Sequence, residues 1–217
     1  LLTRLIPGAR ILDVCCGTGT IAQHLIGRGF AVTGIDASEE MLRYAIEDVP
    51  KAKFLVADAR SFSLPAMFDG ALCTFDSLSY MIDSKDLECV ISNVYDALRP
   101  GGVFVFDLSL EEVYKSEWQQ SCSIVQNNEA YFVRGSYDGY ALLGRTLITK
   151  FARNGNWERT DVTFLTRCYA PGEVFQALER SGFQEALCHR SNDDEELRLN
   201  LGPGVLCGKE GLMRPVR

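Results

Sequence analysis

The sequence predicts an α/β protein built on a doubly wound, mostly parallel sheet. Three observations support that class. Strand-length apolar runs alternate with segments of helical periodicity up to Asp107. A glycine-rich turn, Gly17-Thr18-Gly19, joins the first strand to the first helix. Four successive strand ends bear a carboxylate: Asp13, Asp36, Asp58 and Asp76.

The first strand is expected near 10–15. Ile21, Ala22, Leu25 and Ile26 then recur at helical spacing before Gly29, which predicts a helix near 19–28. Gly17 and Gly19 lack a Cβ, so bare backbone N–H groups can meet a ligand there. Asp13, with Cys15 after it, is expected to orient this turn. The run Ala31 to Ile35 forms the second strand and ends at Asp36-Ala37. An acid in that place suits the ribose hydroxyls of an adenosine. Ser38 is expected to cap a helix near 38–48, with Met41 in its first turn against an adenine face. A third strand near 53–57 leads to Asp58-Ala59-Arg60, which places Asp58 for an adenine amino group and the Ala59 N–H for the ring. The fourth strand, near 70–75, carries Phe75, Asp76, Ser77 and Tyr80 at its end. A helix near 84–98 and the turn Leu98-Arg-Pro-Gly-Gly102 lead into a fifth strand near 102–107.

The pattern changes after Asp107. A short helix (110–115) precedes β-rich runs at 123–126, 130–137, 141–151 and 157–169, punctuated by Asp138-Gly139 and Asn154-Gly155. Successive hairpins make an antiparallel sheet inserted after strand 5. A helix at 171–181 and two closing strands near 183–189 and 203–209 bring the main sheet to seven strands. The predicted organisation is thus a Rossmann-like core (1–109), an antiparallel β lid over the acceptor site (110–169) and a C-terminal completion of the core (170–217).

Bulk composition narrows the function classes. The chain has 217 residues, 47% of them hydrophobic, which suits one core domain with a modest insertion. A net charge of −7 with no Lys/Arg cluster argues against nucleic acid as substrate. No apolar run approaches the roughly 18–20 residues that span a bilayer, and no signal peptide is read, so the expectation is a cytoplasmic protein without a membrane partner. The 8 cysteines form no CxxC pair and read as reduced core thiols, and with only 2 histidines, His24 and His189, no metal site is expected.

At this point the chain resembles the class I S-adenosylmethionine-dependent methyltransferases. The resemblance is carried by LDVCCGTG (12–19), VTGIDASEEML (32–42), VADAR (56–60), TFDSLSYM (74–81) and ALRPGGVFVFDL (97–108), in matching order and spacing. It extends to the inserted sheet, which is similar to that of the small-molecule branch containing glycine and amino-sugar N-methyltransferases. The resemblance implies S-adenosylmethionine as cofactor, S-adenosylhomocysteine as product and a small-molecule acceptor. Cofactor contacts fall on Asp13, Cys15, Gly17, Thr18, Gly19, Asp36, Ala37, Met41, Asp58, Ala59, Arg60 and Phe75. Asp76, Ser77, Tyr80, Arg167 and Tyr169 are the candidates for the methyl-acceptor side, with Arg134 and Tyr137 as further insert residues. No histidine stands in Thr163 to Arg167, where related enzymes often carry one; this favours proximity-driven transfer to an amine or an already acidic group. The chain opens at Leu1 shortly before the first strand, so the N-terminal helices usual in the family are expected to be missing or replaced. Two alternatives stay open: an NAD-type oxidoreductase on the same sheet, and a non-catalytic S-adenosylmethionine-binding protein. The acceptor and the oligomeric state, a homodimer included, are not legible.

Overall fold

The computed structural model describes residues 6–116, 118–189 and 204–208, with only the backbone described for Asn154, His189 and the strand Gly204–Gly208. The residues before Ile6 and the His189 side chain, both subjects of the sequence reading, lie outside what is described. The chain divides into two compact units: residues up to Leu78, Asp83–Leu108 and from Pro171 onward form one; Ser79–Ile82 with Ser109–Ala170 form the other.

The first unit holds a parallel sheet of five strands in the order β5-β4-β1-β2-β3. These are β1 (Arg10–Val14), β2 (Ala31–Asp36), β3 (Lys53–Val56), β4 (Phe68–Cys73) and β5 (Leu98–Asp107). The order reverses between β1 and β4, and that switch point, at the carboxyl ends of the strands, is where open α/β sheets leave a crevice. The central strands are buried on both faces, so they read as continuous apolar runs: Ile11, Leu12, Val14, Ile35, Phe104 and Phe106 are almost wholly enclosed. Gly34 is required by packing. A Cβ there would stand 2.7 Å from both the Cys16 sulfur and the Phe54 ring.

The helices form where capping and periodicity agree. Helix α1 (Thr20–Gly27) buries Ala22 and Leu25. Helix α2 (Glu39–Asp48) starts at Ser38, whose Oγ accepts the Met41 N–H at 3.2 Å, and Glu39 and Glu40 complement its dipole. Helix α3 (Ser84–Ala97) is capped by Asp83 and buries Leu87, Val90, Ile91, Val94 and Ala97, a stripe of helical spacing. Helix α5 (Pro171–Arg180) follows the insert.

Two boundaries differ from expectation. Strand β5 begins at Leu98, paired with Phe68, and its register shifts before Gly70 meets Val103. The Pro-Gly-Gly segment is therefore a bulge within a strand, with Gly101 at φ 83, and not a turn ahead of one. Strand β4 stops at Cys73, so Phe75, Asp76, Ser77 and Tyr80 lie beyond the strand; Ser77–Tyr80 form a 3-10 turn.

The second unit contains α4 (Glu111–Ser116) and a four-stranded antiparallel sheet, β6 (Ser121–Gln126), β7 (Glu129–Asp138), β8 (Leu143–Asn154) and β9 (Asn156–Arg167), ordered as in the sequence. Gly155, at φ 82, makes the tight β8–β9 connection. At Asp138-Gly139 the chain takes a wider loop, with Asp138 Oδ1 accepting the N–H groups of Tyr140 and Ala141. A third hairpin turns at Asn127-Asn128, between the paired residues Gln126 and Glu129; the sequence reading did not mark it. Tyr114 is fully buried, stacked on Trp118 with ring centroids 4.7 Å apart and tilted against Tyr137 at 5.2 Å.

Candidate active site

The glycine turn leaves β1 through Cys15 (φ 57), Gly17 (φ 54) and Gly19 (φ 79). The two glycines serve different ends. A Cβ on Gly17 would meet nothing within 4 Å, so open space lies beside its backbone. One on Gly19 would press on Ala45 and Phe54 at 3.2 Å, where the turn packs against α2 and β3. Their N–H groups are not bare, as the sequence reading had them. Gly17 donates to Asp36 Oδ2 at 2.8 Å, and Gly19 donates to the Cys16 carbonyl at 3.0 Å. Thr18, between them, is exposed.

Asp36 closes β2 and works as a two-way tie, because its other oxygen accepts the Ser38 N–H at 2.9 Å. The carboxylate that orients the turn is thus Asp36, not Asp13. Asp13 sits within β1, opposite Gly34 and Leu72, and is 2% exposed. Its Oδ2 is buried without a hydrogen-bond partner among the described residues. Burial first, and the Asp36 charge second, push the Asp13 carboxyl up to about 7. Ala37 and Met41 are exposed beside this end of β2.

After β3, Asp58 is already engaged. Its carboxylate accepts the Arg60 N–H at 2.9 Å and pairs with the Arg60 guanidinium at 2.6 Å, which in turn reaches Asp86 at 3.5 Å. The guanidinium holds the Asp58 carboxyl below the usual carboxylate range. Ala59 is buried, with its carbonyl accepting from Asn93 at 3.1 Å.

Beyond β4 the chain turns through Phe75 (φ 61) and Asp76 (φ 57), two consecutive non-glycine residues in left-handed backbone. Phe75 is 63% exposed, and Ser77 Oγ donates to the Thr74 carbonyl at 2.7 Å. Asp107, at the end of β5, accepts the Asp76 N–H at 2.8 Å. Burial pushes the Asp107 carboxyl up to about 6, against the pull of that N–H. Its Oδ1 is buried without a partner among the described residues. Asp107 was missed as a site residue, although an acid ending a central strand was the signal used for Asp36. The Cys73 thiol contacts Cys15; that contact first, and burial second, hold it well above the usual thiol range.

The remaining candidates belong to the second unit. Tyr80 is half-exposed and meets Phe164 edge-on, with centroids 6.3 Å apart. Arg167 Nη1 donates to the Ile82 carbonyl at 3.4 Å, and its guanidinium carbon lies 5.0 Å from the Tyr169 ring centroid. Tyr169 is buried, and its hydroxyl donates to the Met81 carbonyl. Arg167 and Tyr169 thereby hold the segment after Tyr80 onto the insert. Tyr137 donates to Glu111 at 3.2 Å.

Comparison with known proteins matches residues 11–102 to a methyltransferase domain family. YqeM of Bacillus subtilis (strain 168), named as a candidate methyltransferase, is 32% identical over 181 residues, 81% of this chain and 73% of its own. The chain belongs to the S-adenosylmethionine-dependent methyltransferases. A dTDP-3-amino-3,4,6-trideoxy-alpha-D-glucopyranose N,N-dimethyltransferase of Streptomyces venezuelae is 28% identical to this methyltransferase over 75% of the chain. The chain spans 63% of that relative's length. The fold matches that of an S-adenosylmethionine-dependent methyltransferase from Clostridium acetobutylicum ATCC 824, with a TM-score of 0.81 at 22% identity over 97% of this chain and 87% of the other.

The residues present fit that cofactor. S-adenosylmethionine carries an ammonium, a sulfonium and one carboxylate but no phosphate, so its site needs acceptors for cations as well as donors for a single carboxylate, and no pyrophosphate cradle. The buried, unpaired Oδ2 of Asp13 is such an acceptor, and Gly17 leaves room for close approach to the backbone. No cluster of metal-ligating side chains occurs among the described residues. No helix among them is long and apolar enough to cross a membrane.

Proposed function

We propose that this methyltransferase moves a methyl group from S-adenosylmethionine to an amine nitrogen of a small molecule. One observation carries the cofactor side. Both glycine N–H groups of the turn are spent within the chain, while the buried Oδ2 of Asp13 is left unpaired among the described residues. A dinucleotide's pyrophosphate would ask for the opposite, which disfavours the oxidoreductase alternative.

In this reading Asp36 takes the ribose hydroxyls, and Gly17, Thr18, Gly19, Cys15 and Asp13 surround the amino-acid end. Ala37, Met41, Asp58, Ala59 and Arg60 border the adenine, and Phe75 lies toward the transferred group. Asp76, Ser77 and Tyr80 receive the acceptor, with Arg167 and Tyr169 shaping the acceptor segment. When bound, the cofactor would supply an electrophilic methyl on its sulfonium, which the acceptor lone pair would take in line as the S–C bond breaks and S-adenosylhomocysteine leaves as the thioether. The protein's share is to hold that nitrogen in place and exclude water, a contribution worth about 7–11 kcal/mol when alignment is good. Asp76 is suited to hold a substrate ammonium or take its proton.

An amine acceptor is supported by the aminosugar relative and by the lack of a histidine in Thr163 to Arg167. The insert, 110–169, is read as the acceptor-selecting part. The two C-terminal strands, Glu185–His189 and Gly204–Gly208, are read as extending the core sheet to seven; antiparallel pairing between them, and of the second with β5, supports this. The free thiols at Cys15, Cys16, Cys73 and Cys168 fit a reducing compartment such as the cytoplasm.

Calorimetry with S-adenosylhomocysteine and with NAD tests the cofactor reading, and a methyl-release screen across amines, carboxylates and phenols tests the acceptor. Binding of the first ligand alone and turnover on an amine are expected. Binding of NAD in its place, or turnover confined to phenols, would overturn the respective half.

A further inference from the structure

We propose that Asp107 is a positioning residue for methyl transfer, holding the Phe75–Asp76 turn in the conformation that presents those two side chains. The proposal rests on the functional reading above for what the turn does, and on geometry alone for how it is held.

Consecutive left-handed residues bearing a Cβ are disfavoured and persist only where their surroundings over-determine them. Most other positive-φ positions among the described residues are glycines, Gly19, Gly29, Gly101, Gly155 and Gly182 among them; Cys15 and Leu142 are single non-glycine exceptions, and only Phe75 and Asp76 are consecutive. Side chains are therefore retained at a place where glycine would relieve the backbone.

Asp107 supplies the constraint. It ends the neighbouring strand, where Cys73 pairs with Phe106, and is 7% exposed. Its carboxylate accepts the Asp76 N–H at 2.8 Å, and the neighbouring Phe75 N–H adds to the pull that works against burial on its pKa. Among the described residues no basic side chain pairs with this acid, and Oδ1 has no partner. A buried anion is an expensive way to finish a strand. Its backbone bond falls on the second of the two strained residues, which is what a clamp on this turn requires.

The test compares wild type with Asp107→Asn, which keeps the shape and one acceptor oxygen, and Asp107→Ala, which removes both. Amide hydrogen exchange at Phe75 and Asp76 reads the clamp directly; losing the charged acceptor should speed it by at least about tenfold. Calorimetry with S-adenosylhomocysteine should show an affinity loss far smaller than the loss in kcat, because the clamp acts mainly on the acceptor side. The kcat for the best amine in a fixed panel should fall by about 100-fold, the scale of an ångström-sized misplacement. The thermal midpoint of Asp107→Asn should not fall. Unchanged exchange would overturn the proposal, as would a loss of S-adenosylhomocysteine affinity in step with kcat, or an unaltered kcat in an active enzyme. A wild type that methylates no amine counts against the acceptor reading alone, since the exchange rates still decide the clamp.

Discussion

Replacing Asp13 with asparagine should make the ligand-free protein more stable above neutral pH and a poorer binder of S-adenosylhomocysteine. The native structure raises the Asp13 carboxyl from 3.8 to about 7 by burying it beside Asp36 with Oδ2 unpaired. Three pK units at ~1.36 kcal/mol each amount to roughly 4 kcal/mol of differential interaction. Between about pH 4 and pH 7 the native state keeps a proton that the unfolded chain has lost, so stability declines as pH rises through that window. Above it the full penalty applies, and below it there is none. Asparagine has no such titration, but its buried amide carries its own unmet hydrogen-bonding cost of about 1–3 kcal/mol. The net gain for Asp13→Asn is therefore about 1–3 kcal/mol near pH 8, vanishing or reversing near pH 4. Urea denaturation of both proteins at the two pH values, without ligand, measures it. A difference independent of pH, or a variant less stable at the higher pH, would refute the picture of an unpaired buried charge. Affinity for S-adenosylhomocysteine, followed by calorimetry, should fall in the same variant.

Asp36→Ala removes the shared acceptor of the Gly17 and Ser38 N–H groups; with each charge-assisted bond worth about 1.5–3 kcal/mol, S-adenosylhomocysteine affinity should drop by at least about 100-fold in calorimetry. Gly34→Ala drives a methyl against Cys16 and Phe54, and its overpacking should cost about 1–3 kcal/mol in chemical denaturation. Gly17→Ala meets no atom, so it should cost only the left-handed backbone, about 1–2 kcal/mol, while blocking the close approach and weakening S-adenosylhomocysteine binding. Arg167→Leu should raise KM for the amine and leave S-adenosylhomocysteine affinity unchanged in paired kinetic and calorimetric measurements.

The parts of this molecule that local chemistry dictates could be read from the sequence. The β1–turn–α1 unit, the Ser38 cap and the hairpin at Gly155 each need particular residues within a few positions of one another, and they formed where those residues stand. What escaped the reading depends on partners far apart in sequence. Asp107 bonds the N–H of a residue 31 positions away, a relation with no periodic signature. The turn is oriented not by Asp13 but by Asp36, whose bond to Gly17 spans 19 positions. That role follows from the β1–β2 register, which opposes Asp13 to Gly34 and so lets Asp36 overhang the turn. Strand β5 starts early because Leu98 finds Phe68 across a bulge, although its Pro-Gly-Gly reads locally as a turn. The insert was legible as hairpins, but which of its side chains serve the acceptor was not. Arg167 and Tyr169 carry no local motif, and their roles emerge only in their bonds to the Met81–Ile82 backbone.

The double duty proposed for Asp36, ribose acceptor and tie of the turn, would limit how this scaffold could change nucleotide preference. Exchanging that side chain to admit a differently substituted sugar would also unfasten Gly17 from the start of α2, so the pocket would lose its floor along with its selector. A lineage drifting toward another cofactor would first have to recruit a second tether for the turn. Ligand choice at this position should therefore be evolutionarily stubborn for reasons of architecture as much as of recognition.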